Sequence, residues 1–98
     1  MVYSINAIKV ALGNFHMLIL AAVFEGAGDQ HVSVVRREVF SCGVGSEGQL
    51  GFGTSIPFIE RPSCVASLSG RDITDIFARN DISTAITSTI ERFSLFNQ

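Results

Sequence analysis

Five glycines fall within the eleven residues 43–53, Gly-Val-Gly-Ser-Glu-Gly-Gln-Leu-Gly-Phe-Gly. No helix survives such a stretch, because each interior glycine is about 1 kcal/mol worse than alanine there. Glycine does open the left-handed backbone region, which tight irregular turns require. The apolar run Val39-Phe40-Ser41-Cys42 leads into the cluster, and Ile56-Pro57 and Arg61-Pro62 break the chain beyond it. The pattern is that of a strand entering an elaborate turn.

The rest of the chain repeats that alternation on a smaller scale. Short runs rich in β-branched and aromatic residues cover 5–12, 15–24, 32–35, 39–42, 73–78, 82–87 and 92–96, with a brief extended piece at 64–66. Gly13-Asn14, Gly26-Ala27-Gly28-Asp29 and Ser69-Gly70-Arg71-Asp72 carry turn chemistry between them. Helical periodicity is weak throughout. Ile73-Thr74-Asp75-Ile76 and Thr84-Ala85-Ile86-Thr87 are dominated by side chains that are stiff in a helix and fit a pleated surface, so they are expected as strands. The fold class implied is all-β, with roughly seven short strands.

Composition limits function more than fold. A chain of 98 residues allows one small domain. Its hydrophobic fraction of 47% excludes intrinsic disorder and is high for so short a chain, which points to surface covered by something else. The formal net charge of −2 and the absence of any basic run longer than Arg36-Arg37 argue against nucleic acid or a membrane surface as partner. The apolar stretch 16–24 is too short to span a bilayer, which takes about 20 residues, and is a poor secretory leader. Cys42 and Cys64 lack metal-ligand spacing and read as two buried thiols in a reducing compartment; a single bridge between them is the alternative.

A weak internal repeat is visible. Glu38-Val39-Phe40-Ser41 returns as Glu91-Arg92-Phe93-Ser94, and Val10-Ala11-Leu12-Gly13-Asn14 returns in pattern as Ile76-Phe77-Ala78-Arg79-Asn80. The first copy is longer between its second and third strands. The unit is roughly fifty residues, a period typical of propeller blades.

On these residues the chain resembles the regulator of chromosome condensation repeat family. That family carries a strand, a glycine, and then Gly-Gln-Leu-Gly-x-Gly, matched here by Gly48-Gln49-Leu50-Gly51-Phe52-Gly53. Pro62 and Val65 fit its Pro-x-x-Val portion, 73–78 and 83–87 its following strands, and Val10 to His16 the strand-end element closing in His. Cys42, Arg79 and Ile82 depart from the usual aromatic, Gly and His. The resemblance implies a partial β-propeller of about one and a half blades: 5–42 as the first blade with an extended hairpin at 24–37, 43–53 as a blade-joining loop, and 62–98 as a second, degenerate blade. It also implies a fragment of a longer propeller.

Gly43, Gly48, Gln49, Leu50, Gly51 and Gly53 are accordingly read as a structural motif. Leu50, the lone large aliphatic of the loop, is expected to point inward, and Gln49 to satisfy backbone groups of the turn. Gly43-Val44-Gly45-Ser46-Glu47-Gly48 formally matches a dinucleotide-binding loop. No helix can start at the following Gln-Leu-Gly-Phe-Gly, so nothing would aim an N-terminus at a pyrophosphate. His16 is expected to be a structural hydrogen-bonding group. No catalytic residue, cofactor or metal is expected.

The extended hairpin is the expected recognition element, with Asp29, His31, Arg36 and Arg37 as candidate partner contacts. Family relatives act as exchange factors for small GTPases, as chromatin-binding proteins and as recruiting parts of ubiquitin ligases. The resemblance therefore implies a non-catalytic protein-interaction module inside the cell, cytoplasmic or nuclear. The alternative is guanine-nucleotide exchange on a Ran-type small GTPase. The chain has no Trp, which sets it apart from the ultraviolet-sensing branch.

Overall fold

Two antiparallel sheets follow one another along the chain. The structure, a computed structural model, describes residues 3–26, 33–53, 56–88 and 92–94. Strands β1 (Tyr3–Leu12), β2 (His16–Glu25), β3 (Ser33–Val44) and β4 (Phe58–Cys64) form the first sheet in sequential order. Strands β5 (Ile73–Arg79), β6 (Ile82–Thr87) and β7 (Arg92–Ser94) form the second. A 3-10 turn, Ala66–Leu68, interrupts the passage between them. This is the all-β class expected from the short β-branched runs, in the blade-like sheets that the resemblance implies.

Alternation explains how the sheets meet. Successive side chains on a strand point to opposite faces. On β2 and β3 this sends Leu18, Leu20 and Val39 to one side; on β5 and β6 Ile76 and its cross-strand partner Ala85 share a side, and the register shift between Ile73 and Asp75 lets Ile73, three residues away, be buried with them. Together with Val65 and Leu68 of the connecting segment these residues make one buried cluster, with Ala11, Phe52 and Ala78 packed against it. Each aliphatic side chain so removed from water contributes roughly 1.5–3 kcal/mol. The connection is itself pinned, since Val65 N donates to Val39 O at 2.8 Å.

Three expectations need correction. First, residues 43–53 do not join two blades. They connect β3 to β4, which pair within the first sheet through Phe40 with Cys64, Ser41 with Ser63, Gly43 with Ile59 and Val44 with Phe58. The sheet-to-sheet passage lies between β4 and β5, and the boundary at 62 therefore cuts through β4. Second, 33–35 and 39–42 belong to a single strand, because β3 runs without interruption through Arg36-Arg37-Glu38. Third, Pro62 does not exclude a strand. The β3–β4 ladder shifts register between Ser41 and Gly43, and Pro62 lies in the shifted stretch, where its missing N–H breaks no ladder bond.

The repeat acquires a spatial meaning. Asn80, at φ 52°, turns the β5–β6 hairpin, and its carbonyl accepts a hydrogen bond from Asn14 N at 2.9 Å. The two hairpin turns that match in sequence thus lie side by side.

Candidate functional site

The glycine loop is a closed, self-bonded turn. Gly48 N donates to Gly45 O and Gly51 N to Gly48 O, both at 3.0 Å, while Gly45 N donates to Pro57 O at 2.8 Å. Leu50 is 1% exposed, and Ser41 Oγ donates to its carbonyl at 2.7 Å. Gln49 is fully buried; its Oε1 accepts from Glu47 N at 2.9 Å, and its Nε2 meets no acceptor among the described residues.

Two of the glycines serve different ends. Gly43 has φ 103°, and a Cβ there would lie 2.5 Å from Phe15 O, so the β1–β2 turn presses directly on it. Gly45 is present for space: a Cβ would meet Ile56 O and Leu50 Cδ1, each at 2.7 Å. At these two positions the loop is packed against the chain's own backbone and side chains.

His16 stands where the two sheets meet. It is 4% exposed, and its Nε2 lies 2.7 Å from Oγ of the fully buried Ser83 on β6. Burial pushes its pKa below the usual imidazole range, and the Ile82 backbone and the Asp81 charge oppose that only in part. The pair couples one sheet to the next. With both partners buried, no substrate reaches the hydroxyl, and the arrangement serves structure. Ser83 was not legible as its partner, because nothing in the sequence relates residues 67 positions apart.

Among the expected partner contacts, Asp29 and His31 lie outside the described residues. Arg36 and Arg37 sit on β3. Arg36 Nε lies 3.6 Å from Glu38 Oε1, and Arg37 Nη1 lies 3.3 Å from Asp72 Oδ1 on the segment leading into β5. Arg36 and Arg37 join Gly70, Arg71 and Asp72 around a cleft of about 200 Å³. The participation of Gly70, Arg71 and Asp72 was not foreseen; the turn signal at Ser69-Gly70-Arg71-Asp72 marked the position but not its neighbour.

Both thiols are free, Cys42 buried and Cys64 exposed, the latter against the expectation of two buried thiols. Cys64 Sγ donates to Glu38 Oε2 at 3.0 Å. Partial burial and then this carboxylate push its pKa up to about 11, which disfavours the reactive thiolate. Burial raises Cys42 as well. Among the described residues no three His, Cys, Asp or Glu side chains gather as metal ligands. None of the described residues forms a helix long and apolar enough to cross a membrane.

Apolar surface is the other prominent feature. Ile5, Ile8, Val10, Leu12 and Phe15 stand exposed on and beside β1, as do Phe77 and Ile82 on the second sheet. Phe77, Arg79, Ile82, Thr84 and Ile86 line a shallow depression of about 490 Å³ on the second sheet's outer face.

Comparison with known proteins is consistent with this architecture. Residues 38–86 match the family model described as the regulator of chromosome condensation (RCC1) repeat. Alsin from Rattus norvegicus and from Homo sapiens is each 31% identical over 86 residues, which is 88% of this chain. The chain spans only 5% of the length of those relatives. The crystal structure of human WBSCR16 superposes with a TM-score of 0.56 at 17% identity, covering 93% of this chain and 34% of that one.

Proposed function

The chain belongs to the RCC1 repeat family, and we propose that it is a non-catalytic protein-interaction module whose outer sheet faces pack against further blades or another protein in a larger assembly. The observation that carries this reading is the exposed apolar surface. Val10 and Leu12 are 50% and 68% exposed, and Phe77 and Ile82 are 48% and 49% exposed. Extended apolar patches on soluble proteins mark surfaces that have partners, and stacked repeats bury their faces on their neighbours. The free thiols support a reducing compartment, the cytoplasm or nucleus, as its setting.

Sedimentation of the isolated chain over a range of concentrations tests the reading. Open apolar faces predict mass above the 10.6 kDa of one chain, rising with concentration. Phe77→Lys combined with Ile82→Lys is expected to shift the chain toward monomer. A strictly monomeric chain with a cooperative unfolding transition at low concentration would overturn it. Release of labelled GDP from a Ran-type GTPase is expected to be unchanged by the chain; acceleration would replace the non-catalytic reading with exchange activity.

A further inference from the structure

The internal repeat divides the outer apolar surface into two unlike faces. Val10-Ala11-Leu12-Gly13-Asn14 matches Ile76-Phe77-Ala78-Arg79-Asn80. At the same spacing His16 answers to Ile82, Met17 to Ser83, and Leu18, Ile19 and Leu20 to Thr84, Ala85 and Ile86. Burial at these matched positions runs in antiphase. His16, Leu18 and Leu20 are buried, whereas Ile82 is exposed and Thr84 and Ile86 are half-buried. Ser83 and Ala85 are buried, whereas Met17 and Ile19 are half-buried. Strands β1 and β5 show the same inversion. Ile76 is fully buried and Val10 is 50% exposed, while Ala11 packs on the core and Phe77 is 48% exposed. Side chains alternate along a strand. Among the described residues each sheet therefore has one covered and one largely open face, and the covered face of one sheet corresponds to the open face of the other.

The seam within the chain is thus a template for contact between the open faces. There the Leu18 side of the first sheet meets the Ile76 side of the second. The open face of the second sheet is the counterpart of the Leu18 side, and the open face of the first is the counterpart of the Ile76 side. The polar chemistry matches as well. At the seam His16 Nε2 lies 2.7 Å from Ser83 Oγ, and both residues are buried. Their counterparts on the open faces are Ile82 and Met17, both apolar. Those two positions brought together strand no polar group, whereas a histidine or serine set against either would be buried without a partner. Leu12 and Met17 are cross-strand partners, as are Val10 and Ile19, so apolar side chains surround the Met17 position. Phe77 and Ile86 share with Ile82 the depression of about 490 Å³ on the other face. Arg79 stands at the position of Gly13, where a Cβ would lie 2.7 Å from Asn80 O. It holds an approaching turn further off than the seam does, so contact between the open faces rests on the strands and is looser than the seam.

Resting on the interaction-module reading, we infer that the partner of these faces is a second copy of the chain docked head to tail, the open face of one copy's first sheet on the open face of the other copy's second sheet, so that the Met17 position of one meets the Ile82 position of the other. Such a contact is heterologous: it uses two different surfaces and leaves one of each free at the ends, so it extends from copy to copy. An isologous dimer would set like faces together. Through the second sheet it would bring two copies of Arg79 into one interface, and like charges there oppose association.

Complementation between two variants of the 98-residue chain tests the docking mode. Phe77→Lys with Ile82→Lys removes the open face of the second sheet, and Val10→Lys with Leu12→Lys removes that of the first. All four positions are at least 48% exposed, and circular dichroism of each variant shows that the fold is retained. Sedimentation is run at a concentration where the wild-type chain associates. Each variant alone is expected to sediment as one chain. An equimolar mixture is expected to double that mass and grow no further, because each variant supplies the intact face that the other lacks. A variant that still pairs with itself would overturn the proposal, since like faces would then be meeting. So would a mixture that stays at the mass of one chain. Failure of the mixture while the wild-type chain associates removes the docking mode and leaves the interaction-module reading standing; a wild-type chain that stays monomeric overturns both.

Discussion

Ile76 and Phe77 are neighbours on β5 with opposite fates. Ile76 is fully buried in the seam between the sheets, and Phe77 is 48% exposed on the far side. The seam joins residues of both sheets and their connection into one cluster, whereas the outer faces hold the same kinds of side chain with nothing described above them. Hydrophobicity alone does not separate the two regions; strand parity does, together with which sheet lies opposite. The seam therefore carries the stability of the fold, and the outer faces are available for association.

The sharpest way to break this comparison is truncation on each side of β5. Ile76→Ala is expected to destabilise by about 3–4 kcal/mol, within the range for buried aliphatic side chains. Phe77→Ala is expected to cost under about 1 kcal/mol, since little packing is lost at the surface. Urea unfolding of the two variants measures the difference, and equal losses would mean that the outer face is covered.

A second contrast sets two left-handed glycines against each other. Gly43→Ala combines unfavourable φ with collision against the Phe15 carbonyl and is expected to cost about 2–3 kcal/mol. Gly70→Ala has the same backbone penalty but open space, so about 1–2 kcal/mol is expected from strain alone. Denaturant midpoints order the two.

The His16–Ser83 bond extends the seam to polar chemistry. Ser83→Ala strands a buried imidazole nitrogen and is expected to cost about 1–2 kcal/mol. The same histidine predicts a pH effect. Its pKa is lowered in the folded state, so the unfolded chain takes up the proton more readily. The contribution is fully present above the unfolded value of about 6.5 and is lost as pH falls from there through the lowered folded value. Thermal melts between neutral and mildly acidic pH are expected to show this decline, and His16→Gln to flatten it.

The smallest effect belongs to the ion pair between Lys9 and Asp75, which sits at the rim of the seam with Lys9 4.6 Å from the centre of the Phe77 ring. The lysine and the Ile76 backbone N–H hold the Asp75 carboxyl below the usual carboxylate range. Both side chains are more than a third exposed, so Lys9→Met is expected to change stability by only a few tenths of a kcal/mol, and less at high salt.

Much of this was legible in one dimension. The strands β1, β2, β5 and β6 follow from β-branched runs bounded by Gly13-Asn14, Gly70 and Asn80. These signals are local, acting over a few residues through side-chain sterics and backbone φ. Strand β4 was hidden because Pro62 forbids a regular ladder, and only the register shift opposite Ser41–Gly43 accommodates it. Strand β3 looked divided because Arg36-Arg37-Glu38 is polar. Glu38 is nevertheless 6% exposed, held by Cys64 and Ser69, which come from later in the chain.

The sequence by itself determined the turn chemistry, the all-β class and the family, since each depends on residues close together in the chain. Tertiary structure alone decided which strands the glycine loop joins, that His16 finds Ser83, and that Arg36 and Arg37 face Arg71 and Asp72. Those outcomes depend on how two sheets settle against each other to bury Leu18, Ile73 and Ile76. That packing brings together segments whose spacing along the chain carries no record of the contact.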